Sequence, residues 1–299
     1  MFSENFILYK DIKEIDNLIN DYCIITTKNI YNIFKEKLNI LNGEVVFIED
    51  LDKKEINKDL VAFGAGSIID KTKVLSQKNK VDYSVIPTTI SNDGICDSIA
   101  ILENDKHLIC KLPKHIIFDI SILEKSPLKL LKSGYLDVIA NKNALEDCEY
   151  AEKNNLDKNN SLSKVFSETS YKLLENIKKI DNSQEFIKTI SHSVILSGLS
   201  EYLNKKTNTM SGSEHLIAHA IDFIYPNNNL LHGYKVGYGC LLIEELFKKN
   251  YYKKLFKKLK IYKEIKEEFK FIDKKEIIKK AIEIGNNQNK PTRLLEIKY

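Results

Sequence analysis

Between Pro127 and Pro226 the chain has no proline, and between Gly134 and Gly198 no glycine. So long a stretch without backbone breakers sustains packed helices and lacks the turn residues that a sheet requires. The residues before it follow another grammar. Residues 22–27 (YCIITT), 44–48 (EVVFI), 60–63 (LVAF), 83–86 (YSVI) and 116–119 (IIFD) are short β-rich apolar runs, with an amphipathic helical stretch at 30–41. Apolar strands separated by helices predict a parallel sheet covered on both faces. The chain therefore reads as an α/β N-terminal parallel-sheet domain over residues 1–126 and an all-α C-terminal domain over 127–299, the boundary falling at 124–130. Two domains of about 150 residues are of ordinary size, and a ligand shared by the two is expected in the cleft between them.

Charge narrows the function. A net charge of +4, from 46 basic and 42 acidic residues, argues against a dedicated nucleic-acid binder. Residues 248–260 (KKNYYKKLFKKLK) interleave lysines with aromatics, as single-strand binders can. However, Tyr252, Leu255, Phe256, Leu259 and Tyr262 recur at helical spacing, so a core face backed by solvated lysines is expected. No apolar run reaches the roughly 18 residues of a membrane span, and the opening MFSENFILYKDIKEID has no signal pattern, so a cytoplasmic protein is expected. Cys23, Cys96, Cys110, Cys148 and Cys240 are odd in number and far apart, which predicts reduced, mostly buried thiols. Any metal must be held by histidine and carboxylate.

Two loops suggest a nucleotide. The run at 60–63 leads into Gly64-Ala65-Gly66-Ser67-Ile68-Ile69-Asp70 and then a helix with Lys71 and Lys73. Glycines at a strand-to-helix turn let backbone amides approach a phosphate, and the helix N-terminus adds about half a positive charge. The last glycine of GxGxxG is missing, so the motif alone is unspecific. Pro87-Thr88-Thr89-Ile90-Ser91-Asn92-Asp93-Gly94 follows the next strand. Its hydroxyls, amide and carboxylate suit a ribose, a nicotinamide amide or a polyol, although a turn capped by Ser91 and Asp93 would look the same.

Three pieces of the helical half carry candidate ligands. Ser133-Gly134-Tyr135-Leu136-Asp137 is expected to open a long helix, with its carboxylate near the start. In Ser211-Gly212-Ser213-Glu214-His215-Leu216-Ile217-Ala218-His219-Ala220-Ile221-Asp222, His215 and His219 share one helix face. Leu231-His232-Gly233-Tyr234-Lys235-Val236-Gly237-Tyr238-Gly239 has glycines that permit close approach to a ligand or another helix. Three Asp/His ligands with an open position make a catalytic zinc site. Spacing alone leaves the trio open, since His215 with His219 is itself a candidate chelate and either can be an ordinary core histidine. His107, His115 and His192 lack supporting neighbours.

Taken in order over residues 60–240, GAGSIIDKTK, PTTISNDG, SGYLD, SGSEHLIAHAID and LHGYKVGYG resemble the sn-glycerol-1-phosphate dehydrogenase family, in the iron-alcohol-dehydrogenase and dehydroquinate-synthase superfamily. The resemblance implies Asp137, His215 and His232 as zinc ligands. It implies His219 and Asp93 as catalytic groups meeting the substrate, with Asp137 touching both substrate and metal. Gly66, Ser67, Ile68, Ile69 and Asp70 would hold the pyrophosphate of NAD or NADP, making the first domain nucleotide-binding. Thr88, Thr89, Ile90 and Ser91 would face its ribose and nicotinamide side, joined by Asp97 in place of the family's cofactor-contacting serine. The implied reaction is zinc-assisted, NAD(P)H-dependent reduction of dihydroxyacetone phosphate to sn-glycerol 1-phosphate, for archaeal-type ether phospholipids. Alternatives are a glycerol or other polyol dehydrogenase on the same scaffold, a dehydroquinate-synthase-like cyclase, or a non-catalytic relative. Further departures are Ala65 within the glycine turn and Cys148 where the family has tryptophan. The strand at 22–27 ends in Thr26-Thr27 without the acid that favours NAD, so NADP is permitted. Assembly into a homo-oligomer is compatible with this reading.

Overall fold

The structure, a computed structural model, describes residues 6–53, 56–101 and 107–297. It divides into two compact units: residues up to Ile90 with Gly94–Pro127 and Asn182–Ile187, and Ser91–Asp93 with Leu128–Asp181 and Lys188 onward.

The first unit is built on strands β1 (Ile7–Leu8), β2 (Tyr22–Thr26), β3 (Glu44–Phe47), β4 (Asp59–Gly64), β5 (Tyr83–Pro87) and β8 (Ile116–Ile117), all parallel in the order β1-β8-β5-β4-β2-β3. The apolar runs become strands because both faces of the sheet are covered: Ile24, Val61, Phe63, Ile86 and Ile117 are buried in one cluster with Ile12, Ile15 and Leu38. Helices α1 (Ile15–Leu18), α2 (Lys28–Leu38), α3 (Gly66–Asn79) and α4 (Ile120–Leu123) belong to this unit. The helix expected at 30–41 begins earlier because the Thr27 hydroxyl accepts from the Ile30 amide as N-cap. The strand expected at 116–119 stops at Ile117. Asp119 instead accepts from the Ser121 and Ile12 amides (2.9 and 3.2 Å) and from Lys37 Nζ (2.7 Å), which starts α4.

Among the strands, two features lack any sequence expectation: the short edge strand β1, and an antiparallel pair of β6 (Ile99–Ile101) and β7 (His107–Ile109). In the sheet Gly64 pairs with Pro87, and the Thr88 amide donates to the Gly64 carbonyl at 3.0 Å. The turns leaving β4 and β5 are therefore level and adjacent.

The second unit is helical: α5 (Leu128–Ile139), α6 (Asn141–Lys153), α7 (Ser161–Glu175), α8 (Gln184–Asn204, from Lys188 onward in this unit), α9 (Ser213–Ile224), α10 (His232–Leu246), α11 (Tyr251–Lys258), α12 (Tyr262–Glu268) and α13 (Lys274–Asn287). One expectation is corrected. SGYLD does not open a helix: α5 starts right after Pro127, and Asp137 lies in its last turn. Pro127 fixes the start, and Gly134, with ordinary helical neighbours, does not interrupt it. Residues 248–260 are mainly α11, burying Tyr252, Leu255, Phe256 and Leu259 while Lys253, Lys254, Lys257 and Lys258 face out. All five cysteines are free and buried.

Helix ends use an unusual device. Lys80, Asn155, Lys205, Lys248, Lys260 and Asn289 have φ between 49° and 59°, the left-handed conformation usual for glycine after a helix. After five of them the next amide bonds back five residues: Val81 to Ser76, Leu156 to Ala151, Lys249 to Glu244, Ile261 to Phe256 and Lys290 to Gly285. No glycine in the described residues has positive φ.

Candidate metal centre and nucleotide loops

Helix crossings in the second unit bring three ligand types together. A Cβ on Gly233 would stand 1.9 Å from the Ser133 carbonyl oxygen, and one on Gly239 would stand 2.4 Å from that of Glu214. The missing side chains let α10 lie directly against both α5 and α9. His232, the first residue of α10, and His215, in the first turn of α9, thereby meet Asp137 near the end of α5. Their Nε2 atoms are 3.3 and 3.4 Å from Asp137 Oδ1. One ligand atom from each of the three lies within 4.8 Å of the others.

Asp137 is 1% exposed. Its Oδ2 accepts from the Asp93 amide at 3.1 Å, but its Oδ1 is buried without a hydrogen bond. A buried acceptor left that way costs about 1–3 kcal/mol, and more when charged. Ligand atoms about 2 Å from a tetrahedral ion stand about 3.3 Å apart, close to the distance of each histidine nitrogen from Asp137 Oδ1. Two imidazoles and one carboxylate thus fit a divalent cation and leave further positions open. Electrostatics agree. Burial opposes a charged His215, yet Asp137 and Glu214 outweigh it and raise its pKa to about 9. Burial likewise pushes Asp137 up, but His232 and His215 bring it well below the usual carboxylate range.

Two supporting groups carry no spacing signal in the sequence. Glu214, fully buried, accepts from His215 Nδ1 at 2.7 Å and from the Gly212 amide at 2.6 Å, and its other oxygen takes the Asn143 amide. Donation from Nδ1 turns the Nε2 lone pair toward Asp137, as outer carboxylates do behind metal-bound histidines. Ser197 on α8 donates to Asp93 Oδ2 at 2.7 Å, and Asn141 Nδ2 donates to Ser197 at 2.8 Å. Asp93, from the loop after β5, is thereby joined to the helical unit beside Asp137. His219 is half-buried one turn beyond His215 and lies outside the ligand cluster.

The remaining candidate residues lie in the first unit, apart from Ser91, which belongs to the second and whose carbonyl accepts from Ser133 Oγ at 2.9 Å. Gly66, Ser67, Ile68, Ile69 and Asp70 form the first turn of α3, with Gly66, Ile68 and Ile69 buried. The Ala65 N-cap makes no side-chain hydrogen bond to the first amides, an arrangement suited to an anion. Thr88, Thr89 and Ile90 are buried, and the Thr89 hydroxyl is 2.5 Å from that of Ser126. Asp97 is ion-paired with the fully buried Lys73, whose ammonium also donates to the Gly94 and Ile99 carbonyls (both 2.8 Å) and to Asp70 (3.4 Å). Burial lifts the Asp70 carboxyl to about 6, against the pull of Lys73.

The family profile described as iron-containing alcohol dehydrogenase matches residues 26–127. The chain is 32% identical over 232 residues to a glycerol-1-phosphate dehydrogenase [NAD(P)+] of Methanococcus vannielii, covering 75% of this chain and 69% of the relative. It is 32% identical over 246 residues to one from Methanococcus maripaludis, covering 79% and 73%. Among solved structures, glycerol dehydrogenase from Schizosaccharomyces pombe matches with a TM-score of 0.75 at 16% identity, covering 100% of this chain and 86% of that one. An iron-containing alcohol dehydrogenase from Thermotoga maritima matches at 0.64 and 15% identity, covering 96% and 92%. At such identities the likeness is one of fold. No helix in the described residues is long and apolar enough to cross a membrane.

Proposed function

Since this chain belongs to the glycerol-1-phosphate dehydrogenase family of the iron-containing alcohol dehydrogenases, we propose that it reduces dihydroxyacetone phosphate to sn-glycerol 1-phosphate with NADH or NADPH. The observation that carries the reading is the orphaned Asp137 Oδ1 facing two imidazole nitrogens. Asp137, His215 and His232 hold the metal, with zinc as the proposed ion. When bound, the metal supplies Lewis-acid polarisation of the C2 carbonyl, and the reduced nicotinamide supplies the hydride. Residues 1–126 form the nucleotide-binding part and 127–299 the metal- and substrate-binding part. Gly66, Ser67, Ile68, Ile69 and Asp70 present the start of α3 to the pyrophosphate; Thr88, Thr89, Ile90, Ser91 and Asp97 line the ribose and nicotinamide side. His219 orients the substrate and passes a proton to the C2 oxygen. Asp93, fixed by Ser197, meets a substrate hydroxyl together with Asp137. The setting is cytoplasmic synthesis of ether phospholipids.

A site built for a phosphate dianion leaves cations or amides unpaired when the phosphate is missing, and polar discrimination of this kind reaches about 10⁴–10⁵. Dihydroxyacetone phosphate should therefore be reduced at least about a thousandfold more efficiently than dihydroxyacetone, giving the sn-1 product. Equal kcat/KM for the two ketones would overturn the phosphate-ester reading in favour of a polyol dehydrogenase.

A further inference from the structure

Of the 46 lysines and arginines in the chain, one is an arginine, Arg293. Where lysine serves nearly every cationic need, a guanidinium marks a place that requires its planar fork. Arg293 lies in a 3-10 turn (Arg293–Glu296), and its side chain is 12% exposed. Its backbone amide and Nε both donate to Asp147 Oδ1, at 3.0 and 2.8 Å. Nη1 meets Glu146 Oε2, and Nη2 meets Asn143 Oδ1 at 2.8 Å and the Asn143 carbonyl at 3.3 Å. The guanidinium packs 5.3 Å from the centroid of the Phe247 ring. A lysine ammonium cannot reproduce this set of in-plane contacts.

Two of these contacts lead to His215. By holding Asn143 Oδ1, Arg293 fixes which way the Asn143 amide faces, so that Nδ2 donates to Glu214 Oε2. Glu214 Oε1 in turn receives His215 Nδ1. A flipped amide would set oxygen against carboxylate and release Glu214 from its orientation. Along the second route, Asp147 Oδ2 accepts from the amide and hydroxyl of Ser213, both at 2.7 Å, at the start of α9 two residues before His215.

We propose that Arg293 is a positioning residue of the metal centre: through Asn143 and Glu214 it sets the tautomer and ring orientation of His215, touching neither metal nor substrate. The proposal rests on reading Asp137, His215 and His232 as metal ligands. A purely structural Arg293 would hold the C-terminal turn in place and leave metal affinity alone.

The test compares zinc affinity, by competition with a chromophoric chelator, with the melting temperature of the stripped protein, for the full chain. Arg293→Lys should bind zinc about 10–100-fold more weakly, the usual effect of a lost outer-shell partner. In a Glu214→Gln background, which cuts the route through Asn143 and leaves the one through Asp147 and Ser213, the same substitution should cost clearly less affinity than in the unmodified protein. Asn143→Asp keeps an oxygen for Arg293 but loses the donor to Glu214, so it should weaken zinc comparably even if Arg293→Lys does not fold. Zinc affinity of Arg293→Lys or Asn143→Asp within about twofold of the unmodified protein overturns the proposal, as does a full additional loss in the Glu214→Gln background. If the unmodified protein takes up no stoichiometric zinc, or His215→Ala keeps it, the metal reading itself fails, and this inference with it.

Discussion

Lys73 in the sheet unit and Asp137 in the helical unit are both buried charges, and their surroundings answer them differently. Four oxygens converge on the Lys73 ammonium: those of Asp97 and Asp70 and the Gly94 and Ile99 carbonyls. Every ammonium proton has an acceptor, and the cluster ties α3 to the 94–99 segment. Around Asp137, one oxygen is satisfied by the Asp93 amide while the other faces two imidazole nitrogens without a hydrogen bond. A desolvated charge needs compensation, and evolution tolerates a deficit only where something else supplies it. A closed cluster fastens backbone; an open one has the donor set of a metal site.

That contrast is breakable. The largest effect is expected from removing an open-cluster ligand: His215→Ala and His232→Ala should each lose metal and activity together, by elemental analysis and turnover. Full metal occupancy in either variant would mean the cluster is not the metal site. Removing the closed cluster's centre should do the reverse. Lys73→Met leaves two carboxylates without their cation and should cost about 3–5 kcal/mol in chemical denaturation, with metal stoichiometry unchanged; metal loss here would erase the distinction. The smallest effect sharpens the edge of the open site. His219→Ala should retain metal while kcat/KM falls about 10²-fold, the size of a lost proton-transfer or orienting group. Metal release from that variant would instead point to a His215–His219 chelate.

The sheet was readable because a strand buried on both faces must be apolar along its length, so β2, β4 and β5 stand out as runs. β1 is two residues long, and such a strand carries no period. The helical unit was readable as helices from its missing breakers, but not in phase: SGYLD looked like a helix start because Ser and Gly favour helix ends, whereas Gly134 sits inside α5. Spacing left the ligand trio undecided, and the family resemblance was needed to choose it. The groups behind the trio were out of reach. Glu214 pairs with Asn143 from 71 positions away, and Arg293 with Asn143 from 150, distances that no local pattern encodes. A single arginine in so lysine-rich a chain was the one available signal.

The lysines and asparagines that end the helices have a practical consequence. An L-residue at φ near 55° carries about 1 kcal/mol of strain that glycine does not, partly offset by glycine's greater freedom in the unfolded chain. Lys80, Lys205, Lys248 and Lys260 lie at such positions and outside the metal ligands and nucleotide loops. Each is a place where a glycine yields about 0.5 kcal/mol, and contributions from separated sites add. The molecule thus holds an untapped reserve of heat tolerance at its helix ends, open to protein engineering without touching a reacting group.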